Sequence, residues 1–496
     1  MTERLRFGTA GLRAPLGDGP DRMNAQTVEL AATALAQWLA PGSEVVVGYD
    51  ARHGSLDFAN VTSRVLADAG HLPRQFDAPV PTPIVVFAVA MSDAAAGVVV
   101  TASHNPATDN GYKVYAADGS QILPDTAAII EANMDALPWP GTVSVDRGDG
   151  VTRLAAEEVS AEYLAYTGRS AAPKPLTIAY TALHGVGGAV ATDALGFVGH
   201  EVISVPEQHE PDPNFPTAPF PNPEEPGTLD LAIALADDRQ ASLVLANDPD
   251  ADRLAVAVQR GSQWERLTGD QIGALLGWYL IDRSEGPRSV ATTIVSSSLL
   301  DKIASAAGVG CHKTLTGFKW LMQTRSAEAP LIFAYEEALG YSVLPWIPDK
   351  DGISAAVVFA ELASMLGAVG MTVDEQLDEI YAEHGYHLTS QVSVRFEGGE
   401  SIVQMSALMA ELRANPPAAI GGVAVVTVDD LLDGGKPPPS NVLRFMVEGG
   451  RVIIRPSGTE PKIKAYIEAV DSERSVAQAR LDQLKAGIES LLASAD

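Results

Sequence analysis

Apolar and polar positions along the chain fall into a unit that recurs three times. A run of β-branched and other apolar residues gives way to a small polar loop, then to a stretch with helical spacing. Glu44-Val45-Val46-Val47-Gly48-Tyr49-Asp50 leads to a helix over 55–69. Leu176-Thr177-Ile178-Ala179-Tyr180 leads through Val186-Gly187-Gly188 to a second helix, and Val290-Ala291-Thr292-Thr293-Ile294-Val295 to a third over 299–307. Strand, loop and helix in that order predict α/β units with a largely parallel sheet.

Each unit supplies a further apolar run that ends in a chemically loaded loop. Gly97-Val98-Val99-Val100 delivers Thr101-Ala102-Ser103-His104-Asn105-Pro106. Leu243-Val244-Leu245-Ala246 delivers Asn247-Asp248-Pro249-Asp250-Ala251-Asp252-Arg253. Leu331-Ile332-Phe333-Ala334 delivers Tyr335-Glu336-Glu337-Ala338-Leu339-Gly340. Ligands bind at the carboxyl ends of strands in such sheets, so the three loops are expected to converge on one cleft. Their spacing is irregular, which fits duplication with divergence and not a solenoid. Toward the C-terminus, strand-like runs at 391–396, 423–428 and 452–454 alternate with helical stretches and end in an amphipathic helix over 476–492, predicting a fourth, α+β domain. The Pro-rich stretch 206–226 is too long for an ordinary connection and reads as an ordered functional loop or a linker.

A length of 496 residues exceeds what one core can serve. The composition, 46% hydrophobic and 20% charged, is that of a folded soluble protein. A net charge of −29 argues against nucleic acid and anionic membrane surfaces as partners. No apolar run is long enough to span a bilayer, and the single cysteine, Cys311, fits a reducing compartment. A cytoplasmic location is expected. With only 34 Lys and Arg, an anionic substrate requires them to be gathered locally.

The loops carry distinct chemistry. Ser103, at a strand end beside His104, is placed to attack or to be phosphorylated, although Ser-His-Asn-Pro alone is also an acceptable turn. Asp248, Asp250 and Asp252 alternate, so in an extended segment their carboxylates face one side and meet one hard cation. An EF-hand is excluded, because its glycine place is Arg253 and its closing glutamate place is Gln259. Few protein ligands plus a phosphate oxygen suit Mg²⁺. Glu336 and Glu337 can accept bonds from sugar hydroxyls, or stand at a helix N-terminus; residue type leaves the two readings even. Arg455-Pro456-Ser457-Gly458-Thr459-Glu460-Pro461-Lys462 supplies the basic cluster, with Arg455 able to hold a phosphate bidentately and Ser457, Thr459 and the amides around Gly458 adding donors.

These four loops, in this order across the whole chain, resemble the α-D-phosphohexomutase superfamily. Residues 101–106 match its phosphoserine loop, 248–253 its metal loop, 336–340 its sugar loop and 455–462 its phosphate loop. The resemblance implies an α/β fold of three related α/β domains with mixed sheets plus a fourth α+β domain around a central active-site cleft. The expected bounds are 1–158, 159–267, 268–384 and 385–496. The stretches Arg6-Phe7-Gly8-Thr9-Ala10-Gly11-Leu12-Arg13, Asp109-Asn110-Gly111-Tyr112-Lys113-Val114-Tyr115 and Leu315-Thr316-Gly317-Phe318-Lys319-Trp320 are similar to the branch holding phosphopentomutases and some bacterial phosphogluco- and phosphomannomutases. Relatives there usually carry a further N-terminal helix, so the start reads as shortened. The Glu-Glu-Ala form of the sugar loop departs from the Gly-Glu-x-Ser-Gly form of many hexomutases.

The resemblance implies a phosphosugar mutase interconverting hexose 1-phosphate and hexose 6-phosphate, through phospho-Ser103 and a bound bisphosphate. It further implies Mg²⁺ on Ser103, Asp248, Asp250 and Asp252, and a sugar 1,6-bisphosphate as activator. Arg13, Arg253 and Lys113 are expected on the transferred phosphate, and His104 and Lys113 as general acid/base. Lys319, Glu336, Glu337 and Gly340 are expected on the sugar, and Arg455, Ser457, Gly458 and Thr459 on the other phosphate. Small-molecule sugar phosphates are the expected partners, with a homodimer left open. The rivals are a phosphopentomutase, a sugar-bisphosphate synthase, a phosphoserine hydrolase that would not need the Arg455 anchor, and a non-catalytic binder that would tolerate loss of Ser103 or an aspartate.

Overall fold

The computed structural model describes residues 4–8, 11–167, 171–396, 401–433, 438–456 and 462–493. Its first three sheets share one plan. In the first, the strand Glu44–Tyr49 lies between the parallel strands Leu72–Phe76 and Ala96–Val100, and Asp109–Ala116 adds antiparallel beside Ala96–Val100. In the second, Thr177–Thr181 lies between Glu201–Ser204 and Leu243–Ala246, with Ala255–Arg260 antiparallel beyond. In the third, Ser289–Thr293 lies between Gly310–Thr314 and Leu331–Glu336, with Gly340–Ser342 antiparallel beyond. The threefold sequence pattern is therefore a threefold topology, and each chemically loaded loop joins the third parallel strand to its antiparallel neighbour.

Burial on both sheet faces explains why the central strands read as unbroken apolar runs. Val45, Val46 and Val47 are all buried: Val45 and Val47 face the helices Ala25–Trp38 and Ser55–Asp68, and Val46 faces the helix Thr82–Ala90. That last helix is apolar all round, as befits one enclosed between the first sheet and the helix Ala156–Thr167. One continuous core joins the first three domains. At its centre runs Gly352–Ala368, capped by Asp351, whose carboxylate accepts from the Ile353 and Ser354 amides and from the Tyr163 hydroxyl. No single described helix is long and apolar enough to cross a membrane.

The fourth sheet is wholly antiparallel, in the order Tyr386–Arg395, Lys462–Asp471, Gly450–Pro456, Leu443–Val447, Val423–Asp430, Ala419–Ile420. The helices Ser401–Ala414 and Arg474–Ala493 pack on one face through Leu408, Met409, Leu412, Leu481, Leu484 and Ile488. The first strand starts five residues earlier than the apolar pattern predicts. Its polar His387 belongs to a buried junction with the third domain, where it meets Ser298 and Glu468. Val442, Ile453 and Tyr466 pack there against Ile294 and Val295.

Candidate active site

Beyond Ala96–Val100 the chain turns sharply. The Ser103 amide donates to Thr101 Oγ1 (2.8 Å), and Ser103 itself takes a left-handed backbone, φ +52. A non-glycine residue there is strained and must be held by its surroundings. Its hydroxyl is buried, donates to Asp248 Oδ2 (2.8 Å) and lies 3.1 Å from His104 Nδ1. Burial lowers the His104 pKa well below its ordinary value, and Arg253 and Arg13 push the same way, so the imidazole is neutral at pH 7.

The aspartates are gathered, but not along an extended segment as expected. The Ala251 amide bonds back to the Asp248 carbonyl (2.8 Å), and Ala251 sits at φ +56. A turn, not strand alternation, points the three carboxylates inward. The reason is close packing: Pro249 lies against Gly185, where any Cβ would overlap its backbone. The Asp250 carbonyl accepts from the Thr82 amide, and the Ala251 carbonyl from the Gly352 amide. All three carboxylates are buried, with ligand oxygens within 4.8 Å of one another.

Lys113 donates to Asp250 Oδ2 (2.7 Å) and Asp252 Oδ2 (2.9 Å), and Thr82 Oγ1 donates to Asp250 Oδ2 (2.7 Å). The other oxygens, Asp250 Oδ1 and Asp252 Oδ1, are buried without a hydrogen bond. Burial, with Asp250 and Asp252 beside it, raises the Asp248 pKa well above the carboxylate range. Against burial, Lys113, Lys350 and Arg253 lower the Asp250 and Asp252 pKa values, yet two carboxylate oxygens stay orphaned and the charge of Asp248 stays disfavoured, which leaves a compact donor set of hard oxygens. That fits a divalent cation of the Mg²⁺ type.

Lys113 is engaged by the aspartates. Burial disfavours its charge, yet Asp250 and Asp252 outweigh this and raise its pKa, which favours the ammonium form. Arg253 lies within 3.9 Å of Asp248 and 3.4 Å of Glu224, and Arg13 reaches toward Asn105 in the serine loop. Lys350, which the sequence reading passed over, lies 3.4 Å from Asp252. Its signal was an ion-rich Asp349-Lys350-Asp351 in an otherwise apolar stretch. Thr82 and Arg52 were also missed, since neither stands in a recognisable motif. The Pro-rich stretch proves an ordered part of the site: Phe220 lies beside His104 (6.1 Å between ring centres) and Glu224 beside Arg253.

Glu336 to Gly340 form a tight hairpin between two strands and not a helix start. An antiparallel bridge between Arg253 and Gly340 ties this hairpin to the metal loop, and a Cβ on Gly340 would strike the Lys350 side chain. Glu336 accepts from the Gly317 amide (3.3 Å). Glu337 accepts from Thr293 and Ser296, and burial, with Glu336 and Asp270, pushes its pKa up to about 7. Lys319 is buried, and lines a small cavity with Lys113, Gly11 and Gln121. Arg455 reaches across from the fourth domain to bond Thr316 Oγ1. Ser457, Gly458 and Thr459 lie outside the described residues.

The sequence matches four profiles described as phosphoglucomutase/phosphomannomutase domains: α/β/α domain I over 4–139, domain II over 156–261, domain III over 268–384 and the C-terminal domain over 392–483. It is 40% identical over 484 residues to a Haemophilus influenzae protein named "Probable phosphomannomutase", covering 95% of this chain and 98% of that one. It is 36% identical to the phosphopentomutase of Homo sapiens, covering 98% of this chain and 89% of that protein. A phosphoglucomutase/phosphomannomutase family protein from Burkholderia thailandensis, 21% identical, shares the fold with a TM-score of 0.75 over 100% of this chain and 98% of that one. With all four domains matched in order and the serine, acidic and sugar loops assembled on one site, this chain belongs to the phosphoglucomutase/phosphomannomutase family of phosphomutases.

Proposed function

We propose that the enzyme interconverts the 1- and 6-phosphates of glucose and mannose through phospho-Ser103 and a transiently bound sugar bisphosphate. The observation that carries this reading is the Ser103 hydroxyl bonded to Asp248 inside the buried acidic triad, with the Glu336–Glu337 hairpin bridged to the same loop. Asp248, Asp250 and Asp252 would hold Mg²⁺, which when bound offsets negative charge on the transferred phosphoryl group.

The sugar hydroxyl oxygen attacks the phosphorus of phospho-Ser103, a new P–O bond forms and the bond to Ser103 Oγ breaks. His104, whose neutral ring lies 3.1 Å from Ser103 Oγ, is placed to accept the Ser103 proton when Ser103 is rephosphorylated and, once charged by the proton that the attacking sugar hydroxyl gives up, to hand that proton to Oγ as it leaves. Arg13 and Arg253 are placed to balance the equatorial oxygens. Glu336 and Glu337 accept from sugar hydroxyls, while Arg455 with residues 457–459 grips the phosphate that stays on the sugar. The bisphosphate turns over between the two halves, so this grip must serve both ends of the sugar.

A pentose substrate is the second reading, favoured by the similarity to the human phosphopentomutase over nearly the whole chain. Initial rates with glucose, mannose, ribose and deoxyribose 1-phosphates, each with Mg²⁺ and bisphosphate activator, decide between them. The expected result is higher efficiency with the hexoses. Efficiency with ribose 1-phosphate tenfold above both hexoses, a gap of about 1.4 kcal/mol, reverses the assignment. Ser103→Ala is expected to fold and lose nearly all turnover, with phosphate found on Ser103 of the wild-type enzyme by peptide mass analysis.

A further inference from the structure

Arg52 stands directly beneath the Ser103 loop and is only 4% exposed. Its Nη1 donates to the carbonyls of Pro106 (2.8 Å) and Asp109 (3.2 Å), and its Nη2 to those of Asn105 (2.6 Å) and Ser103. Its Nε faces Asp50 Oδ2 at 3.2 Å. Asp50 is fixed in turn by the Ser55 hydroxyl (2.6 Å) and the Arg52 amide (3.0 Å). The ring of Phe215, from the Pro-rich segment of the second domain, covers the guanidinium plane at 4.8 Å.

Four carbonyls of one short loop thus curl around a single cation. A guanidinium can meet them all because it carries five donors in a rigid planar fork. The loop so held contains the strained Ser103, whose left-handed backbone aims its hydroxyl at Asp248. The other contacts of the loop are single bonds, from the Ser103 amide to Thr101 Oγ1, from the Asn105 amide to the Ala102 carbonyl and from Asn105 Nδ2 to Asp109, whereas Arg52 ties four of its carbonyls to one group.

We propose that Arg52, closed over by Phe215, is the positioning residue that holds Ser103 in its reactive geometry. It acts through backbone carbonyls and touches no substrate. The proposal rests on Ser103 being the phosphoryl carrier. It also gives the Pro-rich segment a mechanical task, since Phe215 shields the carbonyl cup from water that would compete for the same donors.

The test is chemical rescue. Arg52→Ala should lower kcat by a hundredfold or more with KM for the sugar phosphate changed less than threefold, since the substrate contacts stay in place. Guanidinium ion at tens of millimolar should recover at least tenfold of that loss, while methylammonium, of equal charge but the wrong shape, should recover none. Arg52→Lys should remain as impaired as Arg52→Ala. Phe215→Leu, which leaves every hydrogen bond intact, should lower kcat about tenfold and slow phosphorylation of Ser103 by glucose 1,6-bisphosphate in parallel. Turnover of Arg52→Ala within threefold of wild type, equal rescue by both cations, or full activity of Arg52→Lys overturns the proposal. If Arg52→Ala does not fold, wild-type kcat in Phe215→Leu overturns it alone. A wild-type enzyme inactive on every sugar phosphate would instead count against the mutase reading itself.

Discussion

Lys113 shows how a single residue is read differently once its neighbours are known. In the sequence it is a lysine in a strand, free for phosphate or proton; in the fold it neutralises two buried aspartates. Removing one member of a buried charge group leaves the others uncompensated, at a cost of about 3–5 kcal/mol. Lys113→Met is therefore expected to destabilise the metal-free protein by about that amount, and by clearly less in Mg²⁺, which supplies the missing charge. Urea denaturation with chelator and with Mg²⁺ measures both gaps; equal gaps refute the shared role.

Glu337 yields a prediction of opposite sign. Its folded pKa, about 7, lies above the ordinary value because burial, Glu336 and Asp270 disfavour its charge and outweigh Lys464 and a backbone hydrogen bond acting against them. A raised pKa means the folded state holds the proton more tightly. The associated stability is present below about pH 4.5 and is lost as pH rises through 7. Glu337→Gln cannot ionise, so it should gain on the wild type between pH 5.5 and 8, on the order of 1 kcal/mol after allowing for partial exposure. Denaturation midpoints at the two pH values check this, and a constant difference would rule it out.

At the scale of elements, the turn carrying the aspartates depends on a strand-to-helix loop of the same domain. Gly185 packs so closely on Pro249 that a methyl group there must displace it. Gly185→Ala is predicted to keep its far-UV spectrum while weakening Mg²⁺ binding at least tenfold, as isothermal titration would report. Unchanged affinity would mean the loop is set by its own sequence. The periodic strands were legible because each is buried on both faces and thus apolar without interruption. The helix Thr82–Ala90 was not, since its all-apolar sequence has no polar side to mark a period. The strand Tyr386–Arg395 was read short because its mostly polar first half is held at a junction, through the buried His387, that no local pattern shows.

For the whole molecule, that junction decides how the fourth domain meets the third. Glu468, in the fourth sheet, accepts from Ser297 Oγ (2.8 Å) and the Ser298 amide (2.6 Å) of the third domain and pairs with Arg451 (2.6 Å). Burial opposes its charge, but Arg451 and His387 hold its pKa well below the ordinary value. Its contribution is present above about pH 4.5 and lost as pH falls. Glu468→Ala should cost about 3–5 kcal/mol at pH 7 and shrink the acid-dependent part of the unfolding curve, followed by calorimetry; an unchanged profile would show that the domains are joined by apolar contact alone.

The sequence by itself determined which residues are candidates to carry the chemistry, because serine, carboxylate and guanidinium chemistry belongs to side chains, and a loop between buried strands announces its place. It also determined the threefold α/β plan and the distinct last domain, since both follow from local periodicity. Only the tertiary structure decided what those side chains do to one another. Ser103 meets Asp248 across 145 positions of chain, and Lys113 meets Asp250 across 137. The charge of Lys113, the neutrality of His104 and the brace at Arg52 arise from burial and from partners brought by other domains. Periodicity, being local, carries no record of either.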